Sequence, residues 1–144
     1  FTHPTPNDFK RTAEKVSGAI LDWYLVDFAQ TTNTIDYGIK EVNIENNNNT
    51  TIQLVRKGRM PMPIELLVTY ADNSKELLYI PITLMRWQKD FTFNQIKTTT
   101  LKSWDWAPTN YTITLENKSV LKLEIDPSNR MADVNRDDNV YSAK

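Results

Sequence analysis

The residues able to do chemistry are few and scattered. His3 is the single histidine, and it stands beside Pro4 near the start of the sequence. A zinc hydrolase site needs several convergent nitrogen or carboxylate ligands, usually supplied by a helical His-Glu-x-x-His, and that motif is absent. A Ser-His-Asp triad would have to recruit His3. The chain has no cysteine, so it offers no disulfide, thiol nucleophile or zinc thiolate. Three glycines in total are too few for a Gly-rich phosphate loop. Two carboxylates could meet in space, as in a glycosidase, but no spacing favours this over solvated surface acids. The residues therefore predict no catalytic centre, no cofactor site and no metal ligand set in this chain.

Three local patterns invite a binding reading. Asp133, Asn135 and Asp137 place oxygen-bearing side chains at alternate positions, as in the opening of a calcium loop. Asp138 stands where such a loop needs Gly, and Lys144 where it needs a bidentate carboxylate, so a polar tail is the plainer reading. Trp87, Trp104 and Trp106 are flat rings that could stack on a sugar, which makes a carbohydrate- or protein-binding module the alternative function. Large aromatics are more often buried, and Trp104 to Pro108 reads first as a loop packed onto a core. Asn48, Asn49, Asn110 and Asn117 each begin an Asn-x-Ser/Thr triplet of the glycosylation type, a pattern common by chance in an Asn-rich chain.

What must position these residues is a single domain's worth of chain. The 144 residues are 40% hydrophobic and 24% charged, enough for a real core and against disorder. A formal net charge of -1 gives no electrostatic reason to expect nucleic acid or an anionic membrane surface as partner. No apolar run is long enough to span a bilayer, and no basic-then-apolar stretch marks a secretory signal. The opening Phe1-Thr2-His3-Pro4, without a methionine, reads as part of something longer.

Residues 1–34 are helical in pattern. Thr5 is the expected N-cap, with Pro6 at the first helical position and Asp8 closing a capping box. Phe9, Ala13 and Val16 share one helical face. After Ser17-Gly18, with Ser17 read as the cap of a second helix, Ile20, Leu21, Tyr24, Leu25 and Phe28 form an apolar stripe that Trp23 and Val26 widen. So wide a face must be buried against something. From Ile35 the period changes to two. Tyr37 to Ile44, with a phase slip that suggests a bulge, and Thr50 to Lys57 predict a hairpin around Asn46 to Asn49. Met60-Pro61-Met62-Pro63 reads as an edge or the lead into a strand. Ile64 to Tyr70 and Leu78 to Leu84 predict a second hairpin, the latter strand bulged or at an edge because of Pro81. Phe91-Thr92-Phe93 is a candidate strand, and Tyr111 to Leu115 and Val120 to Ile125 a third hairpin about Asn117-Lys118. Asp126 to Lys144 reads as an irregular polar tail. The prediction is a mainly β fold: an immunoglobulin/fibronectin-III-like β-sandwich of about seven strands over residues 35–144, preceded by a helical pair.

Several segments together resemble a known family. Glu14-Lys15-Val16-Ser17-Gly18-Ala19-Ile20-Leu21-Asp22-Trp23-Tyr24, followed by Phe28, is similar to the last helices of the catalytic domain in aminopeptidase-N-like zinc metallopeptidases (peptidase family M-one). Arg59-Met60-Pro61-Met62-Pro63-Ile64, Ile80-Pro81, Asp105-Trp106-Ala107, Ile125-Asp126-Pro127 and Ala132-Asp133-Val134-Asn135 resemble the β domain of Bacteroidetes-type bacterial members. The likeness spans nearly the whole chain. It implies residues 1–34 as the helical tail of an upstream catalytic domain and residues 35–144 as a C-terminal accessory domain. The family's zinc helix, further Glu ligand, catalytic Tyr and Gly-x-Met-Glu-Asn motif have no counterpart here, and Asn33-Thr34-Ile35 departs from the family's usual Gly-Pro-like linker. The resemblance thus implies a non-catalytic part of an exported or periplasmic peptidase, with zinc held upstream. Its expected partner is that upstream domain, with self-association through the helices as a further option.

Overall fold

The structure, a computed structural model, describes residues 3–45, 48–86 and 95–143. Two helices, α1 (Pro6–Ser17) and α2 (Asp22–Gln30), precede eight strands. These are β1 (Tyr37–Ile44), β2 (Thr50–Arg56), β3 (Ile64–Tyr70), β4 (Lys75–Ile80), β5 (Lys97–Thr100), β6 (Asn110–Leu115), β7 (Val120–Ile125) and β8 (Val140–Ser142). They form a three-stranded sheet ordered β1-β2-β6 and a five-stranded sheet ordered β5-β4-β3-β7-β8. The fold is therefore β-rich, with two helices and two sheets.

Local chemistry accounts for the start of α1. Thr5 Oγ1 accepts from the Asp8 N–H at 3.3 Å, and the Asp8 carboxylate accepts from the Thr5 N–H at 2.8 Å, completing the capping box with Pro6 in the first turn. Ser17 does not cap α2, contrary to expectation. Its hydroxyl turns back to the Ala13 carbonyl at 2.7 Å, and Gly18 ends α1 in the left-handed region at φ 71°. The α2 N-cap is Leu21, without a side-chain cap; Glu14 Oε1 receives the Leu21 N–H instead, at 2.9 Å.

The two sheets share one hydrophobic core. Ile52, Leu54 and Ile113 from the smaller sheet meet Ile64, Leu66, Val68, Leu78, Ile80, Leu123 and Ile125 from the larger. Each set follows the two-residue period of its strand, which is why alternation made these strands visible. The bulge in β1 lies where the phase slips, between Ile39 and Glu41. Met60 to Pro63 leads into β3, which is central in its sheet. Tyr37 explains how that segment is held: its hydroxyl accepts from the Met62 N–H at 2.8 Å.

Four expectations need correction. Strand β4 stops at Ile80, since Pro81 has no N–H for the ladder, and Leu84 lies in a 3-10 turn over Thr83–Met85. β4 is also not an edge, because β5 pairs with it in parallel. The segments β6 and β7 are not a hairpin: β6 pairs with β2 in one sheet, and β7 with β3 and β8 in the other. The tail is irregular as expected as far as Asn139 but ends in strand β8, which pairs with β7, and it is anchored at Asp126, which is buried with its carboxylate receiving the Arg130 and Met131 N–H groups at 3.1 and 2.8 Å. The expected strand at Phe91-Thr92-Phe93 lies outside the described residues.

The segment between helices and sheets is gripped from two sides. The Lys57 and Gly58 N–H groups donate to the Asp36 carbonyl at 2.8 and 3.0 Å, and Met60 N–H to the Thr34 carbonyl at 3.1 Å. On the other flank Val134 N–H donates to the Ile35 carbonyl at 3.0 Å. Gly58 permits the approach: a Cβ there would overlap the Thr34 carbonyl oxygen and lie 2.6 Å from the Asp36 nitrogen, both backbone atoms that cannot swing away. Gly38 is close instead to the Asp138 carboxylate, a movable side chain. We expect Gly58→Ala to cost about 1–3 kcal/mol in urea unfolding, the range for overpacking a tight site. Gly38→Ala should cost less, and equal costs would contradict the backbone clamp.

Candidate functional site

The most concentrated polar chemistry lies at one end of the sheets, around Glu76. The Glu76 side chain is only 7% exposed. It shares its parity on β4 with Leu78 and Ile80, so the strand turns it toward the core side. Four donors converge on it, from β3, β5 and the connection between β6 and β7. Lys118 Nζ and Tyr70 Oη reach Oε2 at 2.9 and 2.7 Å; Lys97 Nζ and Thr99 Oγ1 reach Oε1 at 3.0 and 2.6 Å. Strand register places three of them. Glu76 faces Lys97 across the parallel β4–β5 pair and Val68 across β3, so Tyr70 is its diagonal neighbour. Lys118 arrives on the crossover between the sheets, whose carbonyl is held by the Thr50 hydroxyl at 2.7 Å.

Burial alone would raise the carboxyl's affinity for a proton. The hydrogen bonds from Lys118, Thr99, Tyr70 and Lys97 outweigh burial and hold Glu76 well below the usual carboxylate range. The Tyr70 hydroxyl moves the opposite way, raised first by burial and then by its bond to the Glu76 carboxylate. The Lys118 ammonium also lies 4.6 Å from the centre of the Tyr70 ring. The cluster borders an open cavity of about 460 Å³.

No sequence pattern singles out Glu76, whose partners lie up to 42 residues away. One signal was present: a carboxylate on the inward parity of an apolar strand needs a partner.

The sequence candidates are dispersed. His3 is exposed, and no site forms around it among the described residues. Trp104 is buried, with its ring 5.4 Å from Tyr37 and 5.3 Å from Tyr111 and its Nε1 donating to the Pro108 carbonyl at 2.8 Å. Trp106 is exposed and Trp87 lies outside the described residues, so Trp104 does not share an open platform with Trp106.

At Asp133, Oδ2 accepts from the Tyr37 N–H at 3.2 Å and Asn139 Nδ2 at 3.1 Å, and Oδ1 from the Asn135 N–H at 3.0 Å. Asn135 bonds Asp138 Oδ1 at 3.0 Å and receives the Asp137 N–H at 3.3 Å. These oxygens stitch the tail to β1. Asp36 sits nearby with its carboxyl pushed up, first by burial and further by Asp133 and Asp138 against the opposing Lys57. Among the described residues no group of three or more His, Cys, Asp and Glu is placed to hold a metal ion. Lys144, the last position of the calcium-like pattern, lies outside them.

Glu76→Gln should cost about 1–3 kcal/mol at neutral pH, the scale of lost charge-assisted bonds. Because the folded state lowers this group's proton affinity, its stabilisation is complete above the unfolded value of about 4.5 and is lost as pH falls below it. The gap between wild type and Glu76→Gln in chemical unfolding should therefore shrink on acidification from about pH 5. A gap independent of pH would contradict the assignment.

Comparison with protein-family models, with curated proteins and with solved structures returns no match.

Proposed function

We propose that this chain is a non-catalytic accessory module whose helical pair docks on a larger helical domain upstream in the same protein. The observation that carries this reading is the state of the helices. Neither α1 nor α2 contains a buried residue. Phe9, Val16 and Phe28 are 65%, 83% and 63% exposed, and Ile20 and Val26 are exposed beside them. Burying one such side chain is worth about 1.5–3 kcal/mol, so a covering surface would gain several times that. The helices are joined to the sheets by the clamped Thr34–Asp36 segment, which suits a brace better than a loose tether.

The resemblance to aminopeptidase-N-like zinc metallopeptidases supplies the identity of the covering domain on this reading: the catalytic domain, ending in these helices. Residues 35–144 are then its C-terminal immunoglobulin/fibronectin-III-like domain, supporting the catalytic domain and shaping access to its cleft. The family's zinc chemistry does not fit the residues of this chain. His3 is its single histidine, whereas the His-Glu-x-x-His helix uses two. Zinc and catalysis are assigned upstream, and no step of the reaction runs through this chain.

The test compares this chain with one extended upstream, each with added zinc, on aminoacyl-arylamide substrates. The short chain should be inert and the longer one active. Phe9→Ser with Phe28→Ser should shift the short chain's stability by no more than about 0.5 kcal/mol, as expected for exposed positions. The same pair should lower the melting temperature of the longer chain. Turnover by the short chain would overturn the reading.

A further inference from the structure

We propose that the cavity beside Glu76 is a binding site for a small oxyanion, a carboxylate or phosphate group. This inference is independent of the accessory-module reading. The cavity wall carries three lysines, Lys75, Lys97 and Lys118, against two carboxylates, Asp72 and Glu76, an excess of positive charge in a protein of net charge -1. Both carboxylates already accept hydrogen bonds from within the protein. Glu76 is buried and its oxygens receive four donors, Tyr70, Thr99 and the exposed Lys97 and partly exposed Lys118 ammonium groups. Asp72 Oδ1 is occupied by the Ser74 hydroxyl and N–H at 2.6 and 2.9 Å.

Glu76 acts as the positioning group. It holds two ammonium groups at 3.0 and 2.9 Å, on strand β5 and on the sheet crossover, so they border the cavity in fixed places. An ammonium has three donors, and Lys97 uses one on Glu76 while its side chain remains 71% exposed. Prepaid ordering of this kind lowers the entropy cost of capturing a ligand. The cavity, about 460 Å³, has room for an acidic side chain as well as a free anion.

The experiment is amide NMR titration of the whole chain with inorganic phosphate and, separately, with an acetylated, amidated tri-glutamate peptide. Shifts confined to residues 70–76, 97 and 117–119 are expected at millimolar probe. Saturation by phosphate alone identifies a free anion as the ligand; saturation by the peptide identifies an acidic segment. Lys97→Gln, at an exposed side chain, should leave the fold intact by its spectrum and weaken binding about tenfold, the scale of one charge-assisted hydrogen bond. Lys15→Gln, on exposed α1, should leave binding unchanged. The proposal is overturned if neither probe shifts these residues, if shifts spread over lysines across the surface, or if both variants weaken binding equally.

Discussion

Thr34, Ile35 and Asp36 are held by backbone bonds from the β2–β3 connection on one side and from Val134 on the other. The two helices lie before this joint and the eight strands after it. The grip uses main-chain groups, so it depends on how closely two backbones can approach and not on any one side chain. Gly58 makes the approach possible. The same region collects the Lys57–Asp138 ion pair, which ties the tail to the β2–β3 connection, and the Asp133 carboxylate, which ties it to β1. The joint thus ties the chain to the sheets a few residues after the helices end.

At the opposite end of the chain's logic stands Glu76. The two sheets share a core of alternating aliphatic side chains, which is strong but has little directional preference. Polar convergence supplies direction. Glu76 binds side chains from β3, β5 and the β6–β7 crossover, and Thr50 of β2 binds the same crossover. Removing water from one carboxylate is costly unless donors replace it, so these segments are constrained to arrive together. The cost of a buried charge is turned into a statement about topology.

Much of the β structure was legible. Ile64 to Tyr70 alternates cleanly, Asn117 at a turn adopts the left-handed conformation that Asn tolerates, and the β1 bulge announced itself as a phase slip. What was not legible was pairing. A turn between Leu115 and Val120 reads as a hairpin because neighbouring strands usually pair, yet here the chain changes sheets. Strand β5, Lys97–Thr100, has no apolar alternation, and only its parallel partner β4 defines it. The tail looked irregular because its order comes from Asp126, Asp133 and Arg136 hydrogen bonds, which leave no periodic trace. The Glu76 cluster escaped for the same reason, being assembled from residues far apart in sequence.

The apolar face of the helices was legible, and the described residues offer it little cover: Tyr24 is the single helix residue among them packed against the core. The central claim is that α1 and α2 are completed by a surface beyond this chain, while the joint that carries them is already firm. Amide hydrogen exchange tests it directly. In the chain alone, Lys57, Gly58, Met60 and Val134 should be protected along with β3, while α1 and α2 exchange orders of magnitude faster, as expected of helices without tertiary packing. In the chain extended upstream, the helices should gain protection. Helices as protected as β3 in the short chain would contradict the account.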